Sequence, residues 1–255
     1  MTNRISLFGL DIDALDMDGA IDQIVEWLDS DSKCRYVVTP NVDHVVMLRK
    51  NAEFRSAYQD ASLVLADGCP LIAASRWLGK PLPERVAGSE LIPALFDRLA
   101  QRTETTRVFL LGAMPGVAVK AARRIDRDWP HLKIAGTYSP PFGFEKDEAE
   151  SESILARIEA ANADVVIFGV GAPKQELWTQ RYQDRIRAKT LFCVGATIDF
   201  LAGEKAQAPV WMRRSGLEWL HRCATEPKRL AKRYAMGAIA FPQIVFREWV
   251  SGRAG

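Results

Sequence analysis

The residues in this chain best suited to chemistry gather directly after short apolar runs. Thr39-Pro40-Asn41-Val42-Asp43 closes the run at 36–39, and Asp67-Gly68-Cys69-Pro70 follows 63–66. Gly112-Ala113, with a turn at Pro115-Gly116, follows 108–111. Gly171-Ala172-Pro173-Lys174-Gln175-Glu176 follows 165–170, and Gly195-Ala196-Thr197-Ile198-Asp199 follows 191–194. Glycine and small polar residues at such points let a phosphorylated ligand rest on backbone N–H groups and helix N-termini. Asp67 is the sharpest single candidate. A lone carboxylate there serves either as a general base toward a hydroxyl or as the cap of the helix that follows Pro70. Gln175 and Glu176 either face the ligand or form the first turn of a surface helix. His44, His131 and His221 have no catalytic partner in the sequence, and His44, beside Val45 and Leu48, reads as structural.

Several chemistries are disfavoured by what is missing. Gly169 and Gly171 are followed by Pro173-Lys174 and not by a third glycine, so the dinucleotide fingerprint G-x-G-x-x-G is absent, as is the phosphate loop G-x-x-x-x-G-K-[ST]. The four cysteines (Cys34, Cys69, Cys193, Cys223) form no C-x-x-C pair and have no histidine at ligand spacing, which argues against zinc and for reduced thiols in a cytoplasmic protein. Asp11-Ile12-Asp13 and Asp16-Met17-Asp18 are D-x-D triplets, but they precede the first helix, where Asp serves in caps and turns.

The elements that must position these residues alternate. Strands are predicted at 6–10, 36–39, 63–66, 108–111, 133–138, 165–170 and 191–194, and helices at 20–28, 42–50, 71–78, 91–102, 117–127, 148–161 and 174–185. Continuously apolar strands separated by helices specify a parallel sheet covered on both faces, a Rossmann-like α/β sandwich, with ligands at the carboxyl ends of the strands. The composition, 48% apolar and 26% charged in 255 residues, is that of an ordinary globular chain. A net charge of +2 carries no signature of a nucleic-acid binder.

Charge is unevenly placed. Residues 211–255 hold nine Lys/Arg against three acids, net +6, which leaves −4 on residues 1–210, and they hold three of the seven tryptophans. The chain therefore divides into a catalytic body, 1–208, and a basic amphipathic helical appendage, 209–255, of two or three helices broken near Pro227 and Pro242. That appendage is either an interfacial segment that meets an anionic membrane surface or a docked helix pair with a solvated basic face. No apolar run approaches the ~20 residues of a membrane span, and the first residues show no signal-peptide core.

Taken together, the strand-end strings resemble the WecG/TagA/CpsF family, glycosyltransferase family 26. The resemblance runs through Val38-Thr39-Pro40-Asn41, Ala66-Asp67-Gly68, Leu82-Pro83-Glu84-Arg85-Val86 and Leu110-Leu111-Gly112 to Gly169-Val170-Gly171-Ala172-Pro173-Lys174-Gln175-Glu176. It continues through Gly195-Ala196-Thr197-Ile198-Asp199-Phe200 and Ala208-Pro209 to Trp211-Met212, Leu217-Glu218-Trp219-Leu220, Arg222, Glu226-Pro227 and Arg229. The resemblance implies an inverting, metal-independent transferase without a cofactor. Its donor would be a UDP-sugar (N-acetylmannosamine, its uronic acid, or glucose) and its acceptor a polyprenyl-pyrophosphate-linked saccharide at the cytoplasmic membrane face. By the same resemblance Asp67 is the base, with Thr39, Asn41, Arg85, Gly112, Gln175 and Asp199 around the substrate. Arg222 and Arg229 would close over the site, with Lys232 where the family carries a third arginine.

That chemistry agrees with the residues. Inversion needs one base and positive charge for the leaving diphosphate, and the appendage arginines are the available source. Two other readings stand beside it: a Rossmann-type nucleotide-binding oxidoreductase, and a non-catalytic membrane-docking partner of a polysaccharide complex. The donor sugar and the oligomeric state, including a homo-oligomer, stay open.

Overall fold

The computed structural model describes residues 3–30 and 33–253, without the side chains of residues 214, 229, 231–233, 252 and 253. Its frame is the expected parallel sheet. An antiparallel hairpin, β1 (Arg4–Leu7) and β2 (Leu10–Asp13), precedes six parallel strands: β3 (Arg35–Val38), β4 (Leu63–Val64), β5 (Arg107–Gly112), β6 (Lys133–Tyr138), β7 (Val165–Gly169) and β8 (Thr190–Cys193). The six lie in the order β4-β3-β8-β7-β5-β6.

Alternation along each strand explains why the strands read as unbroken apolar runs. In β3, Val37 faces one core while Tyr36 and Val38 face the other, and all three are fully buried. The Val37 face is covered by α1 (Met17–Leu28), α5 (Gly88–Leu99), α6 (Val117–Asp128) and α9 (Thr197–Ala202), through Ile24, Leu95, Ala121 and Ile198. The opposite face is covered by α2 (Val42–Leu48), α3 (Ala52–Gln59), α4 (Cys69–Trp77), α7 (Glu148–Ala161) and α8 (Lys174–Tyr182), through Val45, Phe54, Leu71, Ile154 and Trp178. Asp16 caps α1 by accepting from the Gly19 N–H at 2.9 Å, and Asp13 is buried between Arg4 and the Val64 N–H, so both D-x-D triplets are structural.

The chain beyond residue 208 folds as α10 (Val210–Arg214), α11 (Glu218–Thr225) and α12 (Pro227–Arg253). The expected break at Pro242 does not occur. Pro242 removes one helical hydrogen bond, to the carbonyl of Ala238, but Ala238 is exposed to water, and Phe241 and Ile244 hold the helix to the core on either side. The 27-residue α12 is thus a rod of roughly 40 Å laid along α2.

Two further differences trace to that rod and to a missed cap. The strand expected at 6–10 straddles the hairpin turn. Phe8 and Gly9 adopt φ of +60° and +79°, the geometry of a tight hairpin turn. Phenylalanine is no turn residue; its ring packs on Phe241 at 5.4 Å and its N–H donates to Glu248 Oε2 at 3.2 Å, both from α12. Helix α3, unforeseen, starts at Asn51, whose Oδ1 accepts from the Phe54 N–H at 3.0 Å.

Because Phe241 is 7% exposed and belongs to the main core, the appendage is docked on the body. Phe241→Ala should lower the unfolding free energy in urea by about 3 kcal/mol; a change below about 1 kcal/mol would mean that α12 detaches without disturbing the body.

Candidate active site

Backbone hydrogen bonds place Asp67. Beyond the last residues of β3 and β4 the two strand ends stay laced: Leu65 N–H donates to Val38 O at 3.0 Å and Asp67 N–H to Pro40 O at 2.8 Å. On the other side Val86 N–H donates to Ala66 O at 2.8 Å. Gly68 follows at φ +143°, a conformation that side chains resist, and turns the chain into α4. No side chain caps that helix, so the capping alternative for Asp67 falls. Its Oδ1 instead accepts from Arg85 Nη1 at 3.4 Å.

The floor beside it is built from three glycines at adjacent strand ends. A Cβ on Gly112 would sit 2.5 Å from the Gly169 carbonyl oxygen, and one on Gly169 2.5 Å from that of Gly195. Only glycine permits this approach.

Above the floor lies a cavity of about 630 Å³, within the range of small-molecule sites. Thr39, Asn41, Asp67, Arg85 and Gln175 line it from the body, and Arg222 lines it from α11. Its outer wall is apolar and belongs to the appendage: Trp219, Leu230, Tyr234, Ala238 and Phe241. Two of the residues proposed from sequence lie outside the wall. Gly112 belongs to the floor beneath the neighbouring strand ends, and Asp199 pairs with Lys205 at 3.7 Å, which also meets Glu226 of the appendage at 3.4 Å. The side chains of Arg229 and Lys232 lie outside the described residues.

Enclosure sets the electrostatics. Burial pushes Asp67 up to about 7; Arg85 and Arg222 pull it down, while Glu218 and Glu90 push it up. Its side chain keeps 27% of its surface, open to the cavity, so it can meet a ligand. Arg85 is held by three carboxylates: Nη1 donates to Asp67 and, at 3.5 Å, to Glu218 Oε2, and Nη2 donates to Glu90. Glu90 also accepts from Arg213 Nη1 at 2.5 Å. Arg222 makes no ion pair among the described residues. A proton acceptor near neutrality thus faces a cation across one cavity.

Gln175 lines the cavity and also bridges two loops. Its Oε1 accepts from the Gly171 N–H at 3.0 Å and the Gly195 N–H at 3.3 Å, and its Nε2 donates to Glu176 Oε1 at 2.9 Å. The amide ties the loops after β7 and β8 together. Glu176 is wholly buried beneath it, and burial pushes its carboxyl up to about 7. Asn41 likewise caps α2, accepting from the Asp43 and His44 N–H groups at 3.0 and 3.3 Å. His44 Nδ1 lies 2.9 Å from the Tyr58 hydroxyl in the core, as its helix face suggested. The residues that sequence reasoning missed are Glu90 and Arg213. Glu90 reads as an ordinary acid in a helix's first turn, and Arg213 as one cation among nine.

A near-neutral carboxyl and a cation on one cavity, at the strand ends of a Rossmann-like sheet, suit an enzyme of group transfer. The sequence comparisons give the class its name. Residues 5–255 match the model of the glycosyl transferase WecG/TagA/CpsF family, and the chain belongs to that family. It is a glycosyltransferase. Among its relatives is the N-acetylglucosaminyldiphosphoundecaprenol N-acetyl-beta-D-mannosaminyltransferase of Bacillus spizizenii, 31% identical over 198 residues, covering 78% of this chain and 74% of the relative. The enzyme of the same name from Staphylococcus aureus is 28% identical over 232 residues, 91% of this chain and 88% of the relative.

Asp67 and Gln175 each leave a mark on stability. Since the folded protein raises Asp67 from 3.8 to about 7, the stability this group lends is full below pH 3.8 and lost as pH rises through 7. Asp67→Asn should therefore raise the melting temperature by about 3 °C at about pH 8 and by nothing at about pH 4; equal shifts at both would exclude a titrating origin. Gln175→Ala leaves two loop N–H groups without an acceptor. It should lower stability in urea by about 2 kcal/mol and weaken UDP in calorimetry, whereas unchanged values of both would free Gln175 from this role.

Proposed function

We propose that the chain transfers N-acetylmannosamine, with inversion, from its UDP derivative to N-acetylglucosamine carried on polyprenyl pyrophosphate. The observation that carries this reading is the placement of Asp67 and Arg222 on one cavity whose outer wall is apolar. The relatives' names supply the sugar and the acceptor.

In this reading Asp67 takes the proton of the acceptor hydroxyl while that oxygen attacks the anomeric carbon, and the C–O bond to UDP breaks on the opposite face. The electron pair of that bond leaves on the diphosphate. Arg222, with Arg229, offsets the growing charge, and the enclosed site strengthens that attraction. Arg85 holds the base, Thr39 and Asn41 lie beside it, and Lys232 serves the appendage's cationic face. In this reading the reaction draws on no cofactor or metal, because protein cations offset the charge that grows on the leaving group.

Trp219 and Leu230 suit the prenyl chain of the acceptor. Trp211, Trp219, Leu220, Met236, Ile239, Phe246 and Val250 are exposed apolar residues on a net-basic segment, which supports an appendage that rests on an anionic membrane at the cytoplasmic face. No helix among the described residues is long and apolar enough to cross a membrane.

Purified protein given UDP-N-acetylmannosamine and a short-chain polyprenyl-diphosphate N-acetylglucosamine should release UDP and form the disaccharide. Asp67→Asn should do so about 10²-fold more slowly. Turnover only with UDP-glucose or the uronic acid would replace the donor. No turnover with any of them would leave the docking-partner reading, and a bound flavin or nicotinamide would favour the oxidoreductase.

A further inference from the structure

Glu218 is the first residue of α11, and its side chain is three-quarters enclosed. Nothing in the transfer chemistry asks for a carboxylate from the appendage at this point. Yet its Oε2 lies 3.5 Å from the same Arg85 nitrogen that lies 3.4 Å from Asp67 Oδ1. Neither contact has the roughly 2.7–2.9 Å length of a strong charge-assisted bond. The short contact of Arg85 is the one from Nη2 to Glu90, which Arg213 of α10 holds from its other side. The guanidinium is thereby anchored to α5, and its remaining arm is divided between a body carboxylate and an appendage carboxylate.

This division matters for a base. An Asp locked in a full bidentate pair with Arg holds its charge cheaply and is a weak proton acceptor. Asp67 is spared that pairing. The charged and titratable groups around it are Arg85 from the loop before α5, Glu90 from α5, and Glu218 and Arg222 from α11, with the Tyr58 phenol of α3 nearby. Of these, Glu218 alone is both like-charged with Asp67 and carried by the appendage. Gly216 brings it there: a Cβ on that residue would lie 2.9 Å from Cys69 Cβ, so the turn into α11 packs directly on the start of α4 beside Asp67.

We infer that Glu218 is a positioning residue for the base: from the appendage it draws Nη1 of Arg85 off Asp67 and faces the carboxylate with like charge, so Asp67 is a competent proton acceptor only while α11 is docked. The inference rests on the reading of Asp67 as base. Docking of the appendage, which supplies the leaving-group cation Arg222, then also readies the base, and the two halves of the displacement are enabled together.

The test is the pH dependence of kcat/KM for UDP release between about pH 5.5 and 9, a range that brackets a carboxyl titrating near neutrality. The wild-type acid limb should disappear in Asp67→Asn, which assigns it. In Glu218→Gln it should move to lower pH by roughly 0.5–1 unit, and the plateau should fall about two- to threefold as the base weakens. Glu218→Asp, which keeps the charge, should leave the limb nearer to the wild type. A plateau that falls with the limb unmoved would make Glu218 a docking contact only and overturn the inference, as would equal limbs in the Gln and Asp variants. Carboxyl-carbon NMR titration of Asp67 in the ligand-free protein, assigned by its loss in Asp67→Asn, reads the same shift without turnover. An Asp67 titration that moves in Glu218→Gln while the wild type releases no UDP would retire the base and spare the coupling. Glu218→Ser, with melting temperatures for all variants, serves if the Gln variant does not fold.

Discussion

A single guanidinium, Arg85, stands between three carboxylates drawn from three parts of the chain: Asp67 after β4, Glu90 in the first turn of α5, and Glu218 at the start of α11. Arginine cannot give up its charge, so the carboxylates must arrange themselves around it. Glu90 takes the firm contact, with Arg213 as its second partner, and Asp67 is left partly paired in an enclosed place. Much of the surrounding architecture serves this arrangement. The laced ends of β3 and β4 hold the Asp67 backbone, Gly68 turns the chain away behind it, and Gly216 lets α11 approach closely enough to bring Glu218 in.

The cavity has two kinds of wall because the chain has two kinds of segment. The body contributes strand ends and glycine contacts, a rigid polar floor tied by the Gln175 amide. The appendage contributes a cation and an apolar face. An acceptor with a charged diphosphate between a sugar and a hydrocarbon chain has the same succession of polarity, and so does the relatives' acceptor as their names describe it. Phe241 and Ile244 of the appendage are buried in the main core, so the cavity's outer wall and the folded core draw on the same helix.

The six strands of the parallel sheet and the sheet class were legible in the sequence because continuous apolar runs leave few alternatives. Strand 133–138 and helix 148–161 emerged with the limits expected. What stayed hidden depends on distant contacts. The Phe8–Gly9 turn exists because α12 packs on it from 240 residues away, and no local signal marks Phe8 for positive φ. The unbroken α12 depends on Phe241 and Ile244 finding a core that the sequence does not locate. At the site, Asp67 stood out by type and position, and Arg85 and Arg222 through the family resemblance. The bridging bonds of Gln175 were not legible, because its partners, Gly171 and Gly195, lie on two separate loops. Glu90 and Arg213 gave no sign, being indistinguishable in sequence from surface charges.

In the proposed function the donor sits in the cavity beneath the appendage, its diphosphate against Arg222 and its sugar near Asp67. A crystal structure of the protein with UDP decides whether it sits there. The diphosphate should lie within hydrogen-bonding reach of Arg222, in the space bounded by Thr39, Asn41 and the Gly171 and Gly195 loops. UDP seated instead on the neighbouring strand ends, over Gly112 and Met114, with the cavity beside Asp67 empty, would contradict that placement.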